Sequence, residues 1–215
     1  MTFIKLPHSR SEHIADGAVH IIGVAAAVAA VSGLLVWAFM AVPHEWIWPL
    51  VFYAIGLVAT FSFSAAYNLT LHARARAVLR RFDHAAIYLM IAGTYTPIAI
   101  LGLGGRAGWA LAIASWTIAL IGIVMKLVFF ERWPKAGFVL YLAQGWLGVV
   151  AAWPLIEHLP ASALILILIG GLTYTAGTIF YHMERIPFSR AIWHVHVLAA
   201  AATHFAAVLL VTPSA

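Results

Sequence analysis

In SFSAAYNLTLH, residues 62–72, the polar side chains Ser64, Asn68 and His72 recur every four residues within an apolar run, and Glu12, Asp16 and His20 repeat at the same interval near the start of the chain. On an α-helix that interval places side chains on one face. Each triplet is therefore a polar line if its segment is helical. The adjacent pair Asp83 and His84, and the group Arg190, His194 and His196, add further carboxylate, imidazole and guanidinium groups. Such groups hold metals, move protons and pair charges. The chain has no cysteine, which excludes disulfides, thiolate metal sites and a cysteine nucleophile. Any chemistry falls to His, Asp, Glu, Ser, Tyr or Arg.

The elements that must position these residues are set by composition. Of the 215 residues 64% are hydrophobic and 9% are charged, against roughly 45–50% and 25% in soluble domains. The chain reads as a polytopic membrane protein. Crossing the hydrocarbon core takes about 20 apolar residues, and seven stretches qualify: roughly 17–42, 46–71, 84–103, 107–130, 136–156, 161–182 and 191–212. The fold class expected is all-α, one membrane domain over 1–215 made of seven transmembrane helices. The first apolar segment is too long for a cleavable signal and follows a mixed polar stretch, so it is expected to remain as a span. Connections are short and carry turn residues, as in GLGGR at 102–106 and EHLP at 157–160. No internal repeat is visible, which gives no support to an inverted-repeat transporter.

Orientation follows from the twelve Lys and Arg. Lys5 and Arg10 precede the first span; Arg74, Arg76, Arg80 and Arg81 fill the second loop; Arg132 and Lys135 lie in the fourth, and Arg185 and Arg190 in the sixth. The odd-numbered loops carry only Arg106. The positive-inside rule then puts the N-terminus in the cytoplasm and the C-terminus outside. The formal charge of +5 is explained by loops facing anionic lipid, not by nucleic acid. In this topology Asp16 and His20 enter the first span from the cytoplasmic side. Ser64, Asn68 and His72 end the second there, Asp83 and His84 open the third, and Arg190, His194 and His196 open the seventh. Ionisable groups within spans are costly and face the bundle interior, so their convergence marks a candidate site. Plainer roles compete: Asp83 suits a helix N-terminus, the run Arg74 to Arg81 suits a topology determinant and headgroup contact, and His204 suits packing about 15 Å deeper than His194.

RRFDHAAIYLMIAGTYTPIAI (80–100), SAAYN (64–68), QGWLG (144–148) and AIWHVHVLAAAATHF (191–205) closely resemble the haemolysin III group of the progestin and adipoQ receptor superfamily, along essentially the whole chain. The resemblance implies a seven-helix bundle with a cytoplasmic N-terminus and a zinc site just inside the cytoplasmic face. It implies that zinc is held by one His on the second span, four residues after a Ser, and by two His four apart on the seventh. Carried over, the Ser is Ser64 and the ligand positions are Asn68, Arg190 and His194. Only His194 keeps a ligand, since Asn is a poor zinc ligand and Arg is none. Asp83 matches the acidic residue beside the metal-bound water. Two arrangements could follow from the altered positions. Either His72, His84 or His196 replaces the missing ligands, although 194 and 196 point about 200° apart on a helix, or Arg190 fills the cation's place and pairs with Asp83 while Asn68 bonds to either.

Three functional classes are compatible with these residues. The leading one is a haemolysin III-type protein of lipid or membrane homeostasis in a cell membrane, that of a bacterial inner membrane, with membrane lipids as partners and a homo-oligomer as an open state. The second is a metal-dependent lipid amide or ester hydrolase resembling the alkaline ceramidases, with Ser64 and Asp83 in catalytic positions. The third is a proton- or ion-conducting protein using His20, His84, His194 and His204 at different depths.

Overall fold

The computed structural model describes residues 9–130, 132–183 and 185–213, which include neither Lys5 nor the ends of the 1–215 range. Among the described residues there is no β-strand. The helices are α1 (Arg10–Ala41), α2 (Ile47–Leu69), α3 (Ala73–Pro97, prolonged by a π-helical turn Ile98–Leu103), α4 (Gly105–Val128), α5 (Pro134–Gly145), α6 (Ala152–His158), α7 (Ala161–His182) and α8 (Ser189–Val211). Six of these, namely α1, α2, α3, α4, α7 and α8, are long and apolar enough to cross a membrane. The protein is a multi-pass helical membrane bundle. Helix α1 packs between α2 and α8, α3 packs on α2 and α4, α5 on α3 and α4, and α7 on α8.

The stretch expected as the fifth span, 136–156, is helical at both ends but not continuous. Helix α5 stops at Gly145, a 3-10 turn covers Leu147–Val149, and α6 begins at Ala152. A break in an apolar medium persists only where the freed backbone groups find partners. Here Tyr95 supplies two, because its hydroxyl donates to the Gly145 carbonyl at 2.9 Å and accepts from the Gly148 N–H at 2.7 Å. Beside it the fully buried Gln144 donates its amide to the Tyr88 and Ser115 carbonyls at 3.2 Å each. Trp146 Nε1 donates to Thr175 Oγ1 at 3.1 Å. Side chains from α3 and α7, with carbonyls of α3 and α4, thus hold the broken span to the bundle.

The third span also begins differently from its hydropathy. Helix α3 starts at Ala73, eleven residues before the apolar stretch, and His72 caps it by accepting from the Ala75 N–H at 3.3 Å. Two of the arginines in this extension hold neighbouring helix ends. Arg76 donates to the Tyr67 and Thr70 carbonyls at the end of α2, and Arg81 to the Leu127 carbonyl at the end of α4. Such contacts neutralise carbonyls that a helix C-terminus leaves unpaired.

The backbones of α2 and α3 come into contact at Gly56 and Gly93. A Cβ added to Gly93 would stand 3.0 Å from the Phe52 carbonyl oxygen, and one added to Gly56 would stand 3.0 Å from that of Leu89. Small residues permit such backbone contact between membrane helices. Gly93→Leu is therefore expected to lower the melting temperature in detergent by roughly 2–10 °C through overpacking. The control Gly33→Leu, where nothing lies within 4 Å of an added Cβ, is expected to leave it unchanged. Equal melting of the two variants would reject backbone contact as the determinant.

Candidate functional site

The buried face of α1 runs through Asp16, His20, Gly23, Ala27, Val31, Leu34 and Ala38. From Gly23 onward this face is apolar, while its first turns are polar. Ser9 caps the helix and Glu12 completes the capping box, its Oε2 accepting from the Ser9 N–H and hydroxyl at 2.9 and 2.8 Å. The other oxygen, Oε1, accepts from the Phe188 N–H at 2.9 Å. Phe188 has φ of 60°, a left-handed conformation uncommon for a bulky residue, and it leads directly into α8. One carboxylate therefore closes the start of α1 and fixes the entry to α8.

One turn further along α1 lies Asp16, with 4% of its surface exposed. His194 Nδ1 donates to its Oδ1 at 2.6 Å, and Arg190 Nη2 and His20 Nε2 stand 3.5 and 3.7 Å from its Oδ2. The His20 and His194 rings lie 4.2 Å apart. Arg190 Nη2 also donates to Asn68 Oδ1, and Asn68 Nδ2 donates to the Ser64 carbonyl at 2.9 Å and approaches Ser64 Oγ at 3.5 Å. Ser64, Asn68, Arg190, Asp16, His194 and His20 thus form one connected polar group across α2, α8 and α1. A cavity of about 10 Å³, room for a single water molecule, opens on it between Glu12, Asp16, Phe188 and Arg190.

The hydrogen bonds and ion pairs of the remaining sequence candidates go elsewhere among the described residues. Asp83 pairs with its neighbour His84, Oδ2 to Nδ1 at 3.2 Å, and His84 approaches the Tyr181 hydroxyl at 3.5 Å and packs against Phe130. Arg190 therefore pairs with Asp16 and not with Asp83, because α8 packs along α1, whose carboxylate faces it one turn past Glu12. His72 is not in register with Ser64 and Asn68: α2 ends at Leu69, and His72 turns away to cap α3. His196 donates to its own helix at the Ile192 carbonyl, 2.8 Å away, and stacks on Phe180. His204 bonds the Ile167 carbonyl at 3.2 Å. None of these histidines joins His194. Asp16 was visible in the sequence as part of the Glu12, Asp16, His20 line, but its partners lie on the last helix, where spacing gives no signal.

The positions to which the resemblance assigns zinc hold a different chemistry. The guanidinium of Arg190 rests on Asn68 Oδ1 and beside Asp16, so a side-chain cation stands among them. A guanidinium offers no lone pair and an amide oxygen is a weak zinc ligand. These residues do not fit zinc. Asp16, His20 and His194 each present a ligand atom within 4.8 Å of the others, and His20 Nε2 is buried without a hydrogen-bond partner. A dication bound to Asp16 Oδ2 there would lie within about 6 Å of Arg190 and meet roughly 5 kcal/mol of repulsion at an effective dielectric of 20. The same guanidinium already answers the carboxylate that would attract the ion.

The model of the family described as Haemolysin-III related matches residues 9–205. The chain is 37% identical to Hemolysin-3 of Bacillus cereus over 95% of its own length and 94% of that protein's. It is 35% identical to the Hemolysin-3 homolog of Bacillus subtilis (strain 168), over 92% and 93% of the two chains. More distantly, it is 31% identical to the heptahelical transmembrane protein ADIPOR2 of Oryza sativa subsp. japonica over 75% and 80%.

Removing one member of a buried ion pair strands the other, at a cost of about 3 kcal/mol where the survivor is partly exposed as Arg190 is. Asp16→Asn is thus expected to lower the melting temperature by roughly 6–12 °C. Asp83→Asn, whose ion-pair partner among the described residues is His84 alone, is expected to cost less than half of that. The reverse order in a thermal melt would return the arginine to Asp83.

Proposed function

Because the chain belongs to the haemolysin-III related family, we propose that it acts in lipid or membrane homeostasis as a multi-pass protein of a bacterial inner membrane, with its basic end and N-terminus in the cytoplasm. Its partners are membrane lipids, which bind along the bundle and alter how its helices pack. The broken stretch α5 to α6 supplies the fifth of seven crossings, in keeping with the relative named heptahelical.

The observation that carries this reading is the connected group Ser64, Asn68, Arg190, Asp16 and His194. It joins three helices by bonds between side chains. Such a junction has two arrangements, closed or parted, and helix movement driven by lipid would shift the balance between them. The hydrolase reading has less to stand on. Ser64 Oγ is approached by Asn68 and Asp83 is engaged by His84, so neither residue is held against the other as an activated pair.

The test compares membranes of a strain lacking the gene with the same strain carrying the wild-type gene or Asp16→Asn at equal protein level. Deletion is expected to change the phospholipid or acyl-chain profile, with restoration by wild type and not by the variant. An unchanged profile would reject a role in lipid homeostasis. Fatty-acid release from ceramide by the purified protein, abolished by Asp83→Ala, would replace this reading with hydrolysis.

A further inference from the structure

We propose that Arg190 is the resident cation of the junction between α1, α2 and α8: its guanidinium, seated between Asn68 and Asp16, supplies the positive charge of the site from the chain itself and makes it independent of any bound metal. The inference concerns what holds the site together, and it does not depend on the lipid role proposed above.

Three features carry it. First, the guanidinium makes contacts of the kind a bound cation makes. It takes a neutral oxygen from α2 and a carboxylate from α1, satisfying charge and hydrogen bonding at once. Second, the carboxylate is matched to it. Asp16 is buried, and in the described residues Arg190 is the one partner of its carboxylate that is charged at any pH, since His20 and His194 need protons to share that role. Third, the surrounding side chains are already committed. His194 gives Nδ1 to Asp16, and Asn68 gives its amide to Ser64. Admitting a dication at this point would require Arg190 to leave, since the two charges would share one carboxylate.

A fixed cation differs from a bound one in a measurable way, because it cannot be chelated, exchanged or diluted. The experiment is metal analysis of the detergent-purified protein, prepared without chelator, together with thermal melts in the presence and absence of EDTA. The wild type is expected to carry far less than one zinc per chain and to melt at the same temperature with and without EDTA. The double variant Asn68→His, Arg190→His supplies imidazoles where the guanidinium and amide were and leaves His194 in place. It is expected to take up about one zinc per chain and to lose thermal stability when EDTA removes it. About one zinc per wild-type chain, lost in His194→Ala, would overturn the proposal.

Should the double variant fail to fold, Arg190→Ala decides. A fall in melting temperature of roughly 6–12 °C, partly recovered by millimolar methylguanidinium, is the expected result. Melting at the wild-type temperature would show that no cation is needed there and would reject the proposal.

Discussion

A carboxylate buried near the end of a membrane helix is tolerable only if something answers its charge, and the answer given to Asp16 organises the whole basic end of the bundle. Desolvating the group costs several kcal/mol, which only an opposed charge and well-directed hydrogen bonds offset. Arg190 and His194 provide them one turn apart on α8, and this fixes the rotation of α8 about its axis relative to α1. Arg190 in turn needs a second acceptor, which Asn68 supplies from α2. Three helices are oriented by one charge. The apolar stripe below it, from Gly23 to Ala38, then adds close packing without having to choose the register.

The same requirement appears in uncharged form in the interrupted stretch from α5 to α6. A helix that stops inside an apolar layer exposes N–H and C=O groups that lipid cannot satisfy. Tyr95 satisfies both edges of the break with one hydroxyl, and Gln144 and Trp146 bind it to three neighbouring helices. Polar side chains otherwise rare in such surroundings thereby acquire structural roles. Gln144 Oε1 alone among them is left buried without a partner.

What could be read in the sequence follows from the range of each interaction. Hydropathy integrates over some twenty residues, so it places the long helices well and is blind to the interruption at Gly145, where the composition stays apolar. It also misplaces the start of α3. The segment ARARAVLRRFD is too charged to look like a span, yet Ala, Arg and Leu are strong helix formers, and the helix runs through it without a stop. The polar line of Glu12, Asp16 and His20 was legible because helical spacing is local. Its partners were not, since a pairing between the first and last helices leaves no trace in spacing. One of the two arrangements left open for the altered positions paired Arg190 with Asp83, and packing gave that place to Asp16. His72 shows the same limit at short range: the four-residue rhythm continued in the sequence after the helix itself had ended.

The separation of these partners has a consequence for how the protein is made. Asp16 and His194 are 178 residues apart, so at a synthesis rate of roughly 5–20 residues per second the first helix waits about 10 to 35 s before the last one emerges. During that interval α1 must lodge in the bilayer with an unanswered acid near its end, held there by its long apolar body and by water at the interface. The charge that makes the finished bundle specific is a burden to the nascent one. Its position in the first turns of α1, and not at the middle of the helix, is what eases the wait.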